Sequence, residues 1–288
     1  MSSDNLDKVK KLREITGVGF KDCKNAIDET QGDLEKSIEL LRKKGIAKAS
    51  KRMGRTAAEG VVCISENDNK FSILEINTET DFVAKNDQFI NFAEEVSKLT
   101  LKNFGKMQDV LKSQMSNKKK VEDSLVDLVS KIGEKITLRR CDYFDNDKLI
   151  NFSYTHSAIK GNVGKIGVLL SIETSKKKEE IIDLGKKLTM QIASLSPLAI
   201  DRDDLDQNIL KKEKEIITEE LKNTGKDIKI VEKIAIGKMN KFVEENTLLN
   251  QQWIMEPKKQ VKDVIKEVIG KDKIKIRKFT RFKVGEGL

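Results

Sequence analysis

Apolar residues recur at helical spacing in three short stretches between residues 5 and 44. Leu6, Val9 and Leu12 form the first stripe, Cys23, Ala26 and Ile27 the second, and Leu34, Ile38 and Leu41 the third. The segment Thr16-Gly17-Val18-Gly19-Phe20 breaks the first helix, and Gln31-Gly32-Asp33 ends the second and caps the third. One stripe per helix predicts a three-helix bundle, with the Gly-Phe turn tucked between helices. Gly45 to Glu59 is small, basic and alanine-rich, and is read as a linker.

The period then falls to two. Val61 to Ile64 and Phe71 to Asn77, joined by the polar turn Glu66-Asn67-Asp68-Asn69, predict a β-hairpin. After a connector over Thr78 to Lys85, Asn86 or Asp87 caps a helix that carries Phe89, Phe92, Ala93, Val96 and Leu99 on one face. A further helix bears Val121, Leu125, Leu128 and Ile132, and Ile136 to Cys141 reads as a strand. The next section resembles a second copy. Leu149 to Thr155 and Lys165 to Glu173 form a hairpin, and the helix after it carries Ile181, Leu184, Leu188, Ile192 and Leu195. Residues 201–243 predict an antiparallel helical hairpin with a narrow seam, turning at Asn223-Thr224-Gly225-Lys226. Glu244 to Glu256 is read as a loop, and Pro257 as the start of a helix with Val261, Val264, Ile265 and Val268 inward. The last strand alternates Ile274, Ile276, Phe282 and Val284 with basic residues.

Composition narrows the classes. Over 288 residues the chain is 36% charged and 38% hydrophobic, which favours thin layers with large solvated faces. No apolar run reaches the length of a membrane span, and the N-terminus lacks a secretory h-region. Cys23, Cys63 and Cys141 lie too far apart for CxxC metal spacing or a disulfide framework. A soluble cytoplasmic protein without membrane contact is expected. The net charge of +9 is spread along the chain except for one block, Arg42 to Arg55, which lacks acids. That block suits RNA phosphates but has no interleaved aromatics to stack bases, so a basic linker is preferred. An RNA-binding or ribosome-associated protein using this block and the terminal strand is the alternative function.

No catalytic constellation emerges, and neither a metal site nor a cofactor is expected. Gly161-Asn162-Val163-Gly164-Lys165 has two residues between its glycines where a phosphate-cradling loop needs four, and Ile166 follows the lysine. The single histidine, His156, has no nucleophile in view and reads as a structural or interface residue. Thr80-Asp81-Phe82-Val83 between a strand and a helix admits two readings. Asp81 caps a helical turn while Phe82 plugs the core, or an acid beside an aromatic at a loop tip wedges a partner apart.

Three segments resemble translation elongation factors Ts: Leu12 to Ala26 (LREITGVGFKDCKNA), Glu75 to Lys85 (EINTETDFVAK) and Arg281 to Gly287 (RFKVGEG). The resemblance runs in order over nearly the whole chain. It implies an α+β fold with a ubiquitin-associated-like three-helix domain and basic linker (1–54), an N-terminal core subdomain (55–145), a related C-terminal core subdomain (146–200 and 237–288) and a coiled-coil hairpin (201–236). It implies guanine-nucleotide exchange on elongation factor Tu, in its GDP-bound and nucleotide-free forms, without covalent chemistry and without direct nucleic-acid contact. Thr80, Asp81, Phe82 and Val83 would disturb the Mg²⁺ site of Tu. Arg13, Thr16, Gly17 and Phe20 would dock on its GTPase domain, and His156 would meet another domain.

Overall fold

The computed structural model describes residues 3–16, 18–52, 54–145, 148–222, 228–270 and 272–288. The expected turn at Asn223 to Lys226 lies outside the described residues. The chain divides into two compact units. One comprises residues 1–143, 155–167 and 282–288, and the other residues 144–154 and 168–281.

The first unit begins with helices α1 (Ser3–Thr16), α2 (Phe20–Glu29) and α3 (Leu34–Arg52). Val9, Leu12, Cys23, Ala26, Ile27 and Leu41 form their shared core with Leu34 and Ile38 packed against it, so the predicted stripes face inward except at Leu6, which is exposed. The turn between α2 and α3 puts Gln31 and Gly32 at positive φ, and the Gly32 amide reaches back to the Ile27 carbonyl at 2.8 Å. Two expectations are corrected here. Gly19-Phe20 is not tucked between helices: Phe20 opens α2 with 43% of its surface exposed. Gly45 to Arg52 is not a linker but the second half of α3. Gly45 is small because a β-carbon there would lie 2.9 Å from Ser130 Oγ of the helix packed against it.

Strands β1 (Glu59–Asn67) and β2 (Lys70–Thr78) pair antiparallel from Glu59↔Thr78 to Asn67↔Lys70 about a tight turn in which Asp68 has φ 54°. Then follow α4 (Asp81–Ala84), α5 (Asp87–Lys102), α6 (Met107–Lys112), α7 (Val121–Ile132) and β3 (Ile136–Phe144). Strand β4 (Ile150–His156) enters this unit at its end, and β5 (Val163–Gly164) completes a sheet of order β3-β2-β1-β5. Helix α5 lays Phe89, Phe92, Ala93 and Val96 on Val61, Cys63, Leu74 and Ile76. Gly60 sits at φ 139° where a β-carbon would lie 2.1 Å from the Ile76 carbonyl oxygen, so only glycine lets β1 approach β2 there.

Beneath this sheet Glu75 is fully buried. Its carboxylate accepts from Arg139 Nη1 (3.0 Å), Arg140 Nε (2.6 Å), Asn77 Nδ2 (3.0 Å) and the Gly285 amide (2.9 Å). Arg139 also donates to the Glu286 carbonyl and Arg140 to that of Lys283, and the Arg140 guanidinium lies 4.3 Å from the Phe282 ring centroid. The C-terminal segment is thereby strapped to β2 and β3.

The second unit holds β6 (Ile166–Thr174), α8 (Lys178–Leu195), α9 (Gln207–Lys222), α10 (Ile228–Asn246), β7 (Gln252–Trp253), β8 (Glu256–Gln260), α11 (Val261–Ile269) and β9 (Ile274–Lys283). Its sheet runs β4-β6-β9. Helix α8 crosses it at Gly185, where a β-carbon would lie 2.5 Å from the Phe152 ring. Buried Gln191 donates to the Gln251 side chain (3.2 Å) and the Gln252 carbonyl (3.0 Å) and accepts from the Ile254 amide (2.9 Å), fixing α8 to the chain after α10. Helices α9 and α10 pack side by side, tied by Lys238 to Glu220 at 2.5 Å. The segment read as a loop is therefore partly helix α10 and strand β7. Pro257 lies in β8 rather than at a helix start, and Val268 is exposed. Among the described residues, no helix is long and apolar enough to cross a membrane.

Candidate functional site

The Thr80–Val83 segment forms one helical turn on the end of β2. Thr80 is its N-cap, with φ −123° and ψ 156°, and its hydroxyl accepts from the Val83 amide at 3.5 Å. Asp81 therefore lies inside the turn and does not cap it. Val83 packs on the core under α5 and Ala84 is buried, so the turn is pinned from below. Asn86 accepts from the amides of Gln88 (2.9 Å) and Phe89 (3.3 Å) and starts α5 one residue after α4 closes. Phe82, between these anchors, points out with 82% of its surface exposed. The reading in which this ring plugs the core is overturned. An aromatic ring held out on a turn fixed at both ends loses little freedom on docking.

Asp81 accepts from Lys85 Nζ at 2.9 Å, one turn on. That hydrogen bond, then the lysine charge, hold its carboxyl below the ordinary aspartate value. The acid beside the ring is thus anionic at neutral pH.

Sequence reasoning missed what braces the turn. Glu134, between α7 and β3, accepts from Thr78 Oγ1 (3.0 Å), the Thr80 amide (3.0 Å) and Thr80 Oγ1 (2.7 Å). Glu79 answers in reverse. It accepts from the Lys135 amide at 2.6 Å and from Arg55 at 3.3 Å, and Lys135 Nζ donates to the Arg55 carbonyl at 2.8 Å. Glu134 lies 54 to 56 residues from its partners and Glu79 lies 56 from Lys135, and the local signal was Gly133, the left-handed stop of α7 at φ 91°.

The other expected contact residues lie elsewhere. Arg13 and Phe20 are exposed and Thr16 is half-buried, with Thr16 Oγ1 donating to the Leu12 carbonyl at 2.7 Å. Gly17 lies outside the described residues. Ile15 is also exposed, at 53%. His156 is exposed at the end of β4. Four cations of the basic block 42–55 are paired: Arg42 meets Asp123 at 3.7 Å, Lys43 meets Glu39 at 2.7 Å, Lys44 meets Glu29, and Arg55 meets Glu79. Burial raises the pKa of the Cys23, Cys63 and Cys141 thiols. Among the described residues, no group of three His, Cys, Asp or Glu side chains is placed to hold a metal ion.

The family model described as "Elongation factor TS" matches residues 79–286. The chain is 39% identical over 282 residues to the elongation factor Ts of Nitrobacter hamburgensis, with 97% of this chain and 92% of the relative covered. It is 40% identical to those of Bartonella henselae over 284 residues and Clostridium perfringens over 286, with the same coverage. These matches define a translation elongation factor. The chain belongs to the elongation factor Ts family, and its function is guanine-nucleotide exchange on elongation factor Tu.

Proposed function

We propose that the α4 turn is the part of this chain that drives GDP out of elongation factor Tu. Phe82 inserts among Tu side chains, while Thr80, Asp81 and Val83 crowd the loop that holds Mg²⁺ and the phosphates of Tu·GDP. GTP then enters the emptied site. Phe82 carries this reading, since 82% of its surface is free while both flanks of its turn are capped and packed. A GTPase grips GDP chiefly through its phosphates and Mg²⁺. A factor that favours nucleotide-free Tu must weaken GDP binding by the same factor by which GDP weakens its own. Burying a phenylalanine side chain contributes about 2 kcal/mol, enough for more than tenfold in that coupling.

The remaining assignments follow the family. Helices α1–α3 act as a ubiquitin-associated-like domain, with Arg13, Thr16, Gly17 and Phe20 docking on the GTPase domain of Tu. His156 meets a second Tu domain. The two strand–helix units serve as related core subdomains, and α9–α10 as the coiled coil. Stopped-flow release of a fluorescent GDP analogue from Tu tests the central point. Phe82→Ala is expected to keep the fold and to slow release by about tenfold. A rate equal to that of the parent chain would remove the wedge.

A further inference from the structure

We propose that Glu134 is a positioning residue for exchange, whose carboxylate sets the angle at which the α4 turn presents Phe82. The proposal rests on reading that turn as the wedge. Both Glu134 oxygens are committed to it: Oε2 takes the Thr78 hydroxyl and the Thr80 amide, each at 3.0 Å, and Oε1 takes the Thr80 hydroxyl at 2.7 Å. Thr80 Oγ1 thus donates to Glu134 while accepting from the Val83 amide, so the cap of α4 and the brace share one hydroxyl. A hydroxyl whose proton is fixed on a carboxylate keeps its lone pairs turned toward the amide. Hydrogen bonds to a charged acceptor are also the stronger kind. Glu79 ties the same two segments in the opposite direction through the Lys135 amide, so the end of β2 and the α7–β3 junction are cross-strapped by two carboxylates. Glu134 touches neither Asp81 nor Phe82 in any of these bonds. Its effect passes through Thr80.

Glu134→Ala, Glu134→Gln, Phe82→Ala and the double variant Glu134→Ala/Phe82→Ala would be compared in GDP release from Tu over a range of factor concentration. Glu134→Ala is expected to lower the maximal rate by about fivefold while moving the half-saturating concentration by less than about twofold. Glu134→Gln, with one acceptor oxygen left, should fall between. In the Phe82→Ala background the same change should add less than about twofold, because a group that acts through the ring has nothing left to position. Hydrogen exchange of the amides from Glu79 to Asn86 should quicken in Glu134→Ala. If Phe82→Ala slows release and Glu134→Ala does not, or if the two losses multiply, Glu134 does not act through the turn while the wedge stands. If Phe82→Ala leaves release unchanged, the wedge falls and Glu134's role falls with it. Should Glu134→Ala fail to fold, Thr78→Val removes one of the three donors at nearly constant volume. It should slow release by about twofold, and an unchanged rate overturns the proposal.

Discussion

Glu75 has no access to water, and alone in an apolar setting its carboxyl would be raised in pKa by desolvation. The four donors around it outweigh that: the Gly285 amide, Asn77, Arg140 and Arg139 together hold it below the ordinary glutamate value. A carboxyl depressed in the folded state adds stability that is complete above its unfolded pKa, about 4.3. That stability is lost as pH falls through the lower, folded value. The strap of residues 282–286 should therefore persist at pH 5 and loosen only in stronger acid, and acid titration followed by hydrogen exchange of the Gly285 amide measures this. Glu75→Gln keeps the volume but leaves two guanidiniums facing a neutral amide. It should cost about 2 kcal/mol in urea unfolding, a discounted figure because both arginines retain some solvent.

At the scale of elements, the helix after the wedge depends on Asn86. Its side chain satisfies two of the first amides of α5, so Asn86→Ala should cost about 1 kcal/mol, read as a lowered thermal midpoint, and Asn86→Asp should cost little. This cap was legible in the sequence, as were α5, α7 and α8, because each buries one face of regular period, and β1 and β2, because their apolar runs flank a polar turn even though β2 is buried on both faces. Helix α6 escaped notice: it is six residues long and buries only Val110. The second half of α3 was mistaken for a linker because small residues mark close helix packing as well as flexible chain, and Gly45 against Ser130 is the former. Pro257 misled in a similar way, since a proline suits a short strand such as β8 as well as the first turn of a helix. In the site, Phe82 and Asp81 stood out by type and neighbourhood. Glu134 did not, because a glutamate after a helix stop looks like any solvated acid until the fold brings Thr78 and Thr80 to it.

For the molecule as a whole, the order of the chain matters as much as its contacts. The first unit takes residues from three separate stretches, and the last of these, 282–288, supplies the Gly285 amide and the Phe282 ring that close over Glu75, Arg139 and Arg140. Gly285 is at φ 74° with its would-be β-carbon 2.2 Å from the Ala58 carbonyl oxygen, so the closure admits no side chain there. Ending the chain after Arg281 should leave Glu75 and both arginines short of partners and lower the unfolding midpoint. The drop should exceed that of Asn86→Ala, as differential scanning calorimetry would show.

Glu75 and the amide it awaits are 210 positions apart. During synthesis the hairpin of β1 and β2 leaves the ribosome early, carrying a carboxylate whose permanent shelter has not yet been translated. The nascent first unit can collapse but cannot seal, and its final step waits until Gly285 has emerged.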